Sequence, residues 1–135
     1  MLRQDSYCKA HLVTYAWQYA REYGGPLPAQ MVMSAIMNRV RCGQGSLLEV
    51  IERIPKYAAE VTQLSGFPLI WEPTFVHLLH DVESIYDGSG KDLSGGALYW
   101  CDLRRVENEW FKVNILGKQE QHPRVANFNS LTFFR

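Results

Sequence analysis

The chain has 135 residues, of which 47% are hydrophobic, 21% charged and 13% aromatic. That length points to a single domain with one core, and that balance excludes intrinsic disorder and fibrous repeats. Lys plus Arg number 14 and Asp plus Glu 14, for a formal net charge of zero. Phosphate binding runs on excess positive charge, so composition makes no case for a nucleic-acid partner.

Cys8, Cys42 and Cys101 show no C-x-x-C spacing, and their odd number leaves at least one thiol unpaired. Buried structural thiols in a reduced compartment are the expectation. No basic segment leading into a long apolar run precedes the first helical pattern, so no signal peptide is read and synthesis in the cytoplasm is expected. The most apolar window, Met31 to Met37, falls short of the roughly 18 apolar residues of a membrane span, and no membrane insertion is expected.

In chain order, Leu12, Ala16, Tyr19, Ala20 and Tyr23 recur at helical steps and predict an amphipathic helix from about Tyr7 to Tyr23, after a short tail over 1–6. Gly24, Gly25 and Pro26 stop it. Pro28 to Arg41 reads as a second, largely buried helix closed by Gly43. Ser46 with Glu49 forms a capping box that opens a short helix through Ile54, ended by Pro55. From Lys56 to Ile70 the signal weakens, with Ala58 and Ala59 suggesting one more turn before a loop. Pro73 begins a strong helix through Phe75, Val76, Leu78, Leu79, Val82 and Ile85, stopped by Gly88. After a Gly-rich and Ser-rich loop, Ala97 to Cys101 reads as a short strand and Phe128 to Phe134 as extended. The fold class is mainly α, with about four to five helices and a small C-terminal β element.

His77, His80 and Asp81 share one helix face at a spacing seen in metal sites, but no further ligand with recognisable spacing accompanies them. No metal or cofactor is assigned. Glu22 falls in the last turn of the first helix, flanked by Tyr19 and Tyr23. The helix macrodipole disfavours an ionised carboxylate at that end, and partial burial between aromatic rings acts in the same direction, as a general acid requires. The plainer reading, which has the greater weight on position alone, is a solvated carboxylate paired with Arg21 or Lys9. Trp17, Tyr19, Tyr23, Trp71, Tyr99, Trp100 and Trp110 are many aromatics for a core of this size. Some are expected to line a groove beside Asn127, Asn129 and Gln30, with packing the default role for most.

Gln30 through Val40, QMVMSAIMNRV, resembles the Q-x-A-V-A-x-V-x-x-N-R-V helix of the cell-wall hydrolases related to spore cortex-lytic enzymes. In the same order, Leu47 to Ile54 resembles the family's next helix and Gly96 to Tyr99 its G-A-L-Y segment. Val125 to Asn127 with Phe133 and Phe134 resembles the closing I-G-N-H-x-F-Y. The resemblance implies a lysozyme-like domain over residues 1–135 that cleaves peptidoglycan glycan strands, with a glutamate of the Y-G-E-A-R-G-E region as acid. Here that region reads Tyr19-Ala20-Arg21-Glu22-Tyr23-Gly24-Gly25, so Glu22 is the glutamate that carries over, while Tyr19 takes the place of the earlier one and Phe128 that of the closing histidine.

The expected function is therefore glycan-strand cleavage of the lytic transglycosylase or muramidase type. Glu22 is the catalytic candidate, and Tyr23, Tyr99, Trp100 and Asn127 are the substrate-binding candidates. A transglycosylase route suits one carboxylate, with Asp87 and Asp92 as possible second groups. The alternative is an inactive lysozyme-like module that binds glycan or a host protein, such as a virion component. A phage or prophage origin, with release or virion delivery to the wall, reconciles a wall substrate with the unread signal peptide.

Overall fold

The computed structural model of the chain describes residues 2–57 and 73–135. Ala58, Ala59 and Trp71 lie outside these described residues. The order of elements is α1 (Leu2–Tyr23), α2 (Pro26–Arg41), α3 (Leu47–Tyr57), α4 (Pro73–Asp87), β1 (Tyr99–Asp102), α5 (Glu109–Asn114), a 3-10 turn (Leu116–Lys118), β2 (Arg124–Phe128) and β3 (Leu131–Phe134). The fold is mainly α with a small antiparallel sheet in the order β1-β3-β2. No helix among the described residues is long and apolar enough to cross a membrane.

Residues 2–6, expected as a tail, extend α1 by more than a turn. Periodicity locates an apolar stripe and is blind to a polar first turn, which explains the difference. The helix ends where the amides of Gly24 and Gly25 both bond the Ala20 carbonyl at 3.0 Å. Gly24 adopts φ 81°, a left-handed exit that a side chain would strain. α2 then starts at Pro26 rather than Pro28, since both prolines fit a first turn whose amides need no partner. The capping box of α3 is made: the Ser46 amide donates to Glu49 Oε1 at 3.2 Å and the Glu49 amide to Ser46 Oγ at 3.3 Å. α3 continues past Pro55 to Tyr57, so the proline lies within its last turn rather than after it.

Helices α1, α2 and α4 pack on one another, and α3 lies against α1 and α2. α2 is buried on nearly every side, from Pro28 to Met37 apart from Gln30, which is why its apolar run is so broad. The segment from Phe128 to Phe134 is not one extended stretch but the end of β2, a turn at Asn129 with φ 52°, and β3. All of β3 is buried because it is the central strand, covered on both faces. Cross-strand partners share a face, so Trp100, Asp102, Leu131 and Phe133 face one side and Tyr99, Cys101, Thr132 and Phe134 the other. The first side completes the helical core through Trp100, Leu131 and Phe133. The second forms a smaller core in which Cys101 and Phe134 meet Phe111 and Ile115.

Asn38 ties α2 to the loop that leads into β1. Its amide donates to Asp92 Oδ2 at 2.9 Å and to the Ala97 carbonyl at 3.0 Å. Asp92 in turn accepts from the Ser94 amide and hydroxyl at 2.8 and 2.6 Å. Asn38→Ala would leave the Ala97 carbonyl, part of a buried residue, without this donor. A loss of about 1–3 kcal/mol is expected, read as a lower urea midpoint at unchanged m-value.

Candidate functional site

The C-terminal half of α1 meets β1 through aromatic side chains. Trp100, 7% exposed, donates its indole N–H to the Tyr19 hydroxyl at 2.8 Å, with the rings edge-on at 6.3 Å. Tyr19 stacks on Tyr23 at 6.4 Å, and the Tyr23 hydroxyl donates to Asp102 Oδ2 at 2.7 Å. Trp100 is thus a core residue that backs the site rather than a groove wall. Tyr19, in the place of the family's earlier glutamate, is buried and its hydroxyl is taken up by the Trp100 indole N–H.

Asp102 ends β1 with its side chain fully buried. Arg104 grips it as a fork, Nε to Oδ1 at 3.1 Å and Nη2 to Oδ2 at 2.8 Å, and the Arg104 amide donates to Oδ1 at 2.9 Å. The Arg104 guanidinium above all, with the hydroxyls of Tyr23 and Ser130 and the Arg104 amide, outweighs the opposing effect of burial and holds this carboxyl well below the usual carboxylate range. Arg105 stands with Nε 3.7 Å from Asp102 Oδ2 and its Nη1 paired with Glu22 Oε1. The partner of Glu22 is therefore neither Arg21 nor Lys9. Arg21 lies over the Trp17 ring at 4.9 Å, and Lys9 bonds Glu83 at 2.7 Å. The Glu22 side chain is 37% exposed, so solvent and solute reach it.

Asp102 does not stand out in the sequence. The local signal is an aspartate closing an aromatic strand, with arginines two and three residues further on. The Arg104 fork is local, but the further bonds from Tyr23 and Ser130 come from positions too distant in the chain for spacing to reveal.

Tyr99 and Asn127 lie on the sheet face opposite Trp100 and Asp102, by the alternation of a strand. Tyr99 borders a cleft of about 240 Å³ with Arg39, Gln44, Val50, Arg53 and Trp110. Asn127 is exposed on β2 and borders an open groove with Leu103, Arg124 and Asn129. Of the expected binding residues, Tyr23 alone is directly beside Glu22, in the adjoining position and on the shared Asp102 and Arg105 group.

The remaining candidates serve local structure. Gln30 donates to Asp81 Oδ2 at 2.5 Å, and His77 Nε2 lies 3.1 Å from the same oxygen, while His80 is exposed. Among the described residues no group of three or more His, Cys, Asp and Glu side chains is placed to hold a metal ion. Asp87 accepts the Ser89 amide at 2.8 Å. Its carboxyl is lowered by Ser89, through side chain and backbone. Burial works against ionisation of Asp92, but bonds from Ser94, Asn38 and the Gly96 amide prevail and lower it. Both aspartates shape the loop after α4. Cys8 and Cys101 are buried as expected, whereas Cys42, just past the end of α2, is exposed.

Asp102→Asn removes the charge from a buried site and weakens its bonds to Arg104. A cost on the order of 2–3 kcal/mol is expected at neutral pH. The folded-state carboxyl titrates below its unfolded value, so its contribution is complete above about pH 4 and fades as pH falls towards the lower folded value. Urea titrations at acid pH should show wild-type stability dropping with pH more steeply than that of the variant. In comparisons with known proteins, the chain matches no family model, no curated protein and no solved structure.

Proposed function

We propose that the chain is a lysozyme-like cell-wall hydrolase that cleaves peptidoglycan glycan strands, with Glu22 as general acid and base. The observation that carries this reading is the placement of Glu22. It is a helix-end carboxylate, open to solvent and brought to the end of β1. Support comes also from the motif that resembles the family: Asn38 of N-R-V bonds the Ala97 carbonyl of G-A-L-Y, and Arg39 lies over the Tyr99 ring at 5.0 Å. Residues far apart in the chain are thereby joined in one structural unit.

Asp102 is enclosed and saturated by Arg104, Tyr23 and backbone, so it is not free to act as a nucleophile or to activate water. One available carboxylate suits the transglycosylase route. Glu22 protonates the leaving oxygen and then, as base, takes the proton of the muramic acid 6-hydroxyl as it attacks. The substrate lies in the wall, reached by release or virion delivery from a phage or prophage source.

A second reading rests on the Arg105 contact itself. A guanidinium beside a carboxylate favours the charged form over the acid, which suits a module that binds glycan strands or a host protein without cutting them.

Glu22→Gln should abolish turbidity clearing of purified peptidoglycan. Because the Glu22–Arg105 pair is solvent-exposed and worth at most about 1 kcal/mol, the melting temperature should move little. Clearing by the variant at the wild-type rate removes Glu22 from the mechanism. Retention of the wild type on insoluble peptidoglycan without product release identifies the binding module. Mass spectra of released fragments should show anhydro ends for transglycosylation, and reducing ends would indicate hydrolysis.

A further inference from the structure

The groove on the closing hairpin is lined by polar groups that the fold leaves unused. It has a volume of about 400 Å³ and is bordered by Leu103, Arg124, Asn127, Asn129 and Thr132. Asn127 and Thr132 are cross-strand partners on one face, so the carboxamide of one stands beside the hydroxyl of the other. Among the described residues, the side chains of Asn127, Asn129 and Thr132 have no hydrogen-bond partner. Thr132 is the most telling of the three, because it sits on the central strand and is only 5% exposed. Among the described residues, the fully enclosed polar side-chain atoms that lack a partner are Trp17 Nε1 and Gln18 Nε2. The unpaired Thr132 hydroxyl is therefore not enclosed, and it opens onto the groove that it lines. The hairpin closes on Phe128 and Leu131 across two residues, so by antiparallel alternation the main-chain N–H and C=O of Asn127 point away from β3, to the outer edge of β2.

These groups select among ligands. No acidic residue borders the groove, and the one charged group there, Arg124, is engaged, with Nε on Gln119 Oε1 at 3.1 Å and the guanidinium over the Phe134 ring at 6.0 Å. The groups left to a ligand are therefore neutral. An added peptide strand needs a regular run of edge, and the irregularity between Arg124 and Ala126 interrupts it. What remains is two carboxamides, a hydroxyl and one main-chain N–H and C=O, donors and acceptors side by side. Adjacent ring hydroxyls of a sugar, each able to donate and to accept, match that pattern. Leu103, 39% exposed, offers an apolar wall for the ring C–H groups. We propose that this groove is a second, non-catalytic site that binds a neutral pyranose through a pair of adjacent hydroxyls, with Asn127 and Thr132 as the contacts and Asn129 at the rim. The site shares no residue with the group around Glu22 and does not depend on the wall-hydrolase reading.

The test follows the side-chain amide signals of Asn127 and Asn129 by NMR in the full chain, titrated with methyl glucoside and with N-acetylglucosamine. Both should give saturable shifts with a Kd on the order of 1 mM, while cyclohexanol, a ring of the same size with a single hydroxyl, should not saturate. Thr132→Val keeps the shape of the side chain and removes the hydroxyl, and it should weaken both sugars roughly tenfold. Asn127→Ala, at an exposed position, should do the same and carries the test if Thr132→Val disturbs the strand. Arg124→Gln and Glu22→Gln should leave both affinities unchanged. No saturable shift, equal binding of cyclohexanol, or indifference of the sugars to both Thr132→Val and Asn127→Ala would overturn the assignment. So would a trialanine peptide that binds more tightly than the sugars, which would make the groove a docking edge for an extended chain. Failure of the wild type to clear peptidoglycan sinks the catalytic reading and leaves this result standing, and the converse holds equally.

Discussion

The docking of α1 on β1 depends on a match between two repeats. Four residues of helix advance about 6 Å and two residues of strand about 6.6 Å, so the spacing from Tyr19 to Tyr23 fits that from Trp100 to Asp102. Tyr19 takes the indole N–H of Trp100 and Tyr23 gives its hydroxyl to Asp102, one bond at each rung. A slip of one residue would turn Tyr99 and Cys101 towards α1 and leave Trp100 and Asp102 on the wrong face. This register brings the end of the helix to the end of the strand, and it thereby sets where Glu22 stands.

Asp102 makes the same seam selective. A buried carboxylate is tolerated only when its oxygens are bonded and its charge is met, and here a guanidinium fork, a hydroxyl and a backbone amide do so. Consecutive arginines then divide their work. Arg104 closes over Asp102, while Arg105 reaches outward to Glu22. One carboxylate becomes part of the framework and the other stays at the surface, two environments for one type of group.

The two faces of the sheet carry different tasks. One face completes the helical core and carries Asp102 at its end, and the other is roofed by Phe111 and Ile115 of the small core and flanked by the cleft at Tyr99. Asn38 and Arg39, neighbours at the end of α2, serve both sides of this arrangement. Asn38 anchors the loop before β1, and Arg39 covers Tyr99 on β1 itself. Helix α2 can hold the sheet in place because it is buried along most of its length and has little freedom to move.

Local chemistry was legible wherever neighbours in the chain interact. Gly24 and Gly25 mark the end of α1, Ser46 and Glu49 the start of α3, and Pro73 and Gly88 bracket α4, because caps and breakers act within a turn. Helix α5 is not legible in the sequence. Its six residues are too few for a periodic signal, and it is held by the Asn108 cap and by the contacts of Phe111 beneath the sheet. The hairpin turn at Asn129 was hidden within a run that reads as one strand. By itself the sequence determined the mainly helical class, most helix ends and the singular position of Glu22. Only the tertiary structure decided that Glu22 faces Arg105, that Asp102 is the buried carboxylate, and that Tyr99 and Trp100 part to opposite faces. These depend on contacts across some 80 residues of chain and on strand pairing, which local propensity does not encode.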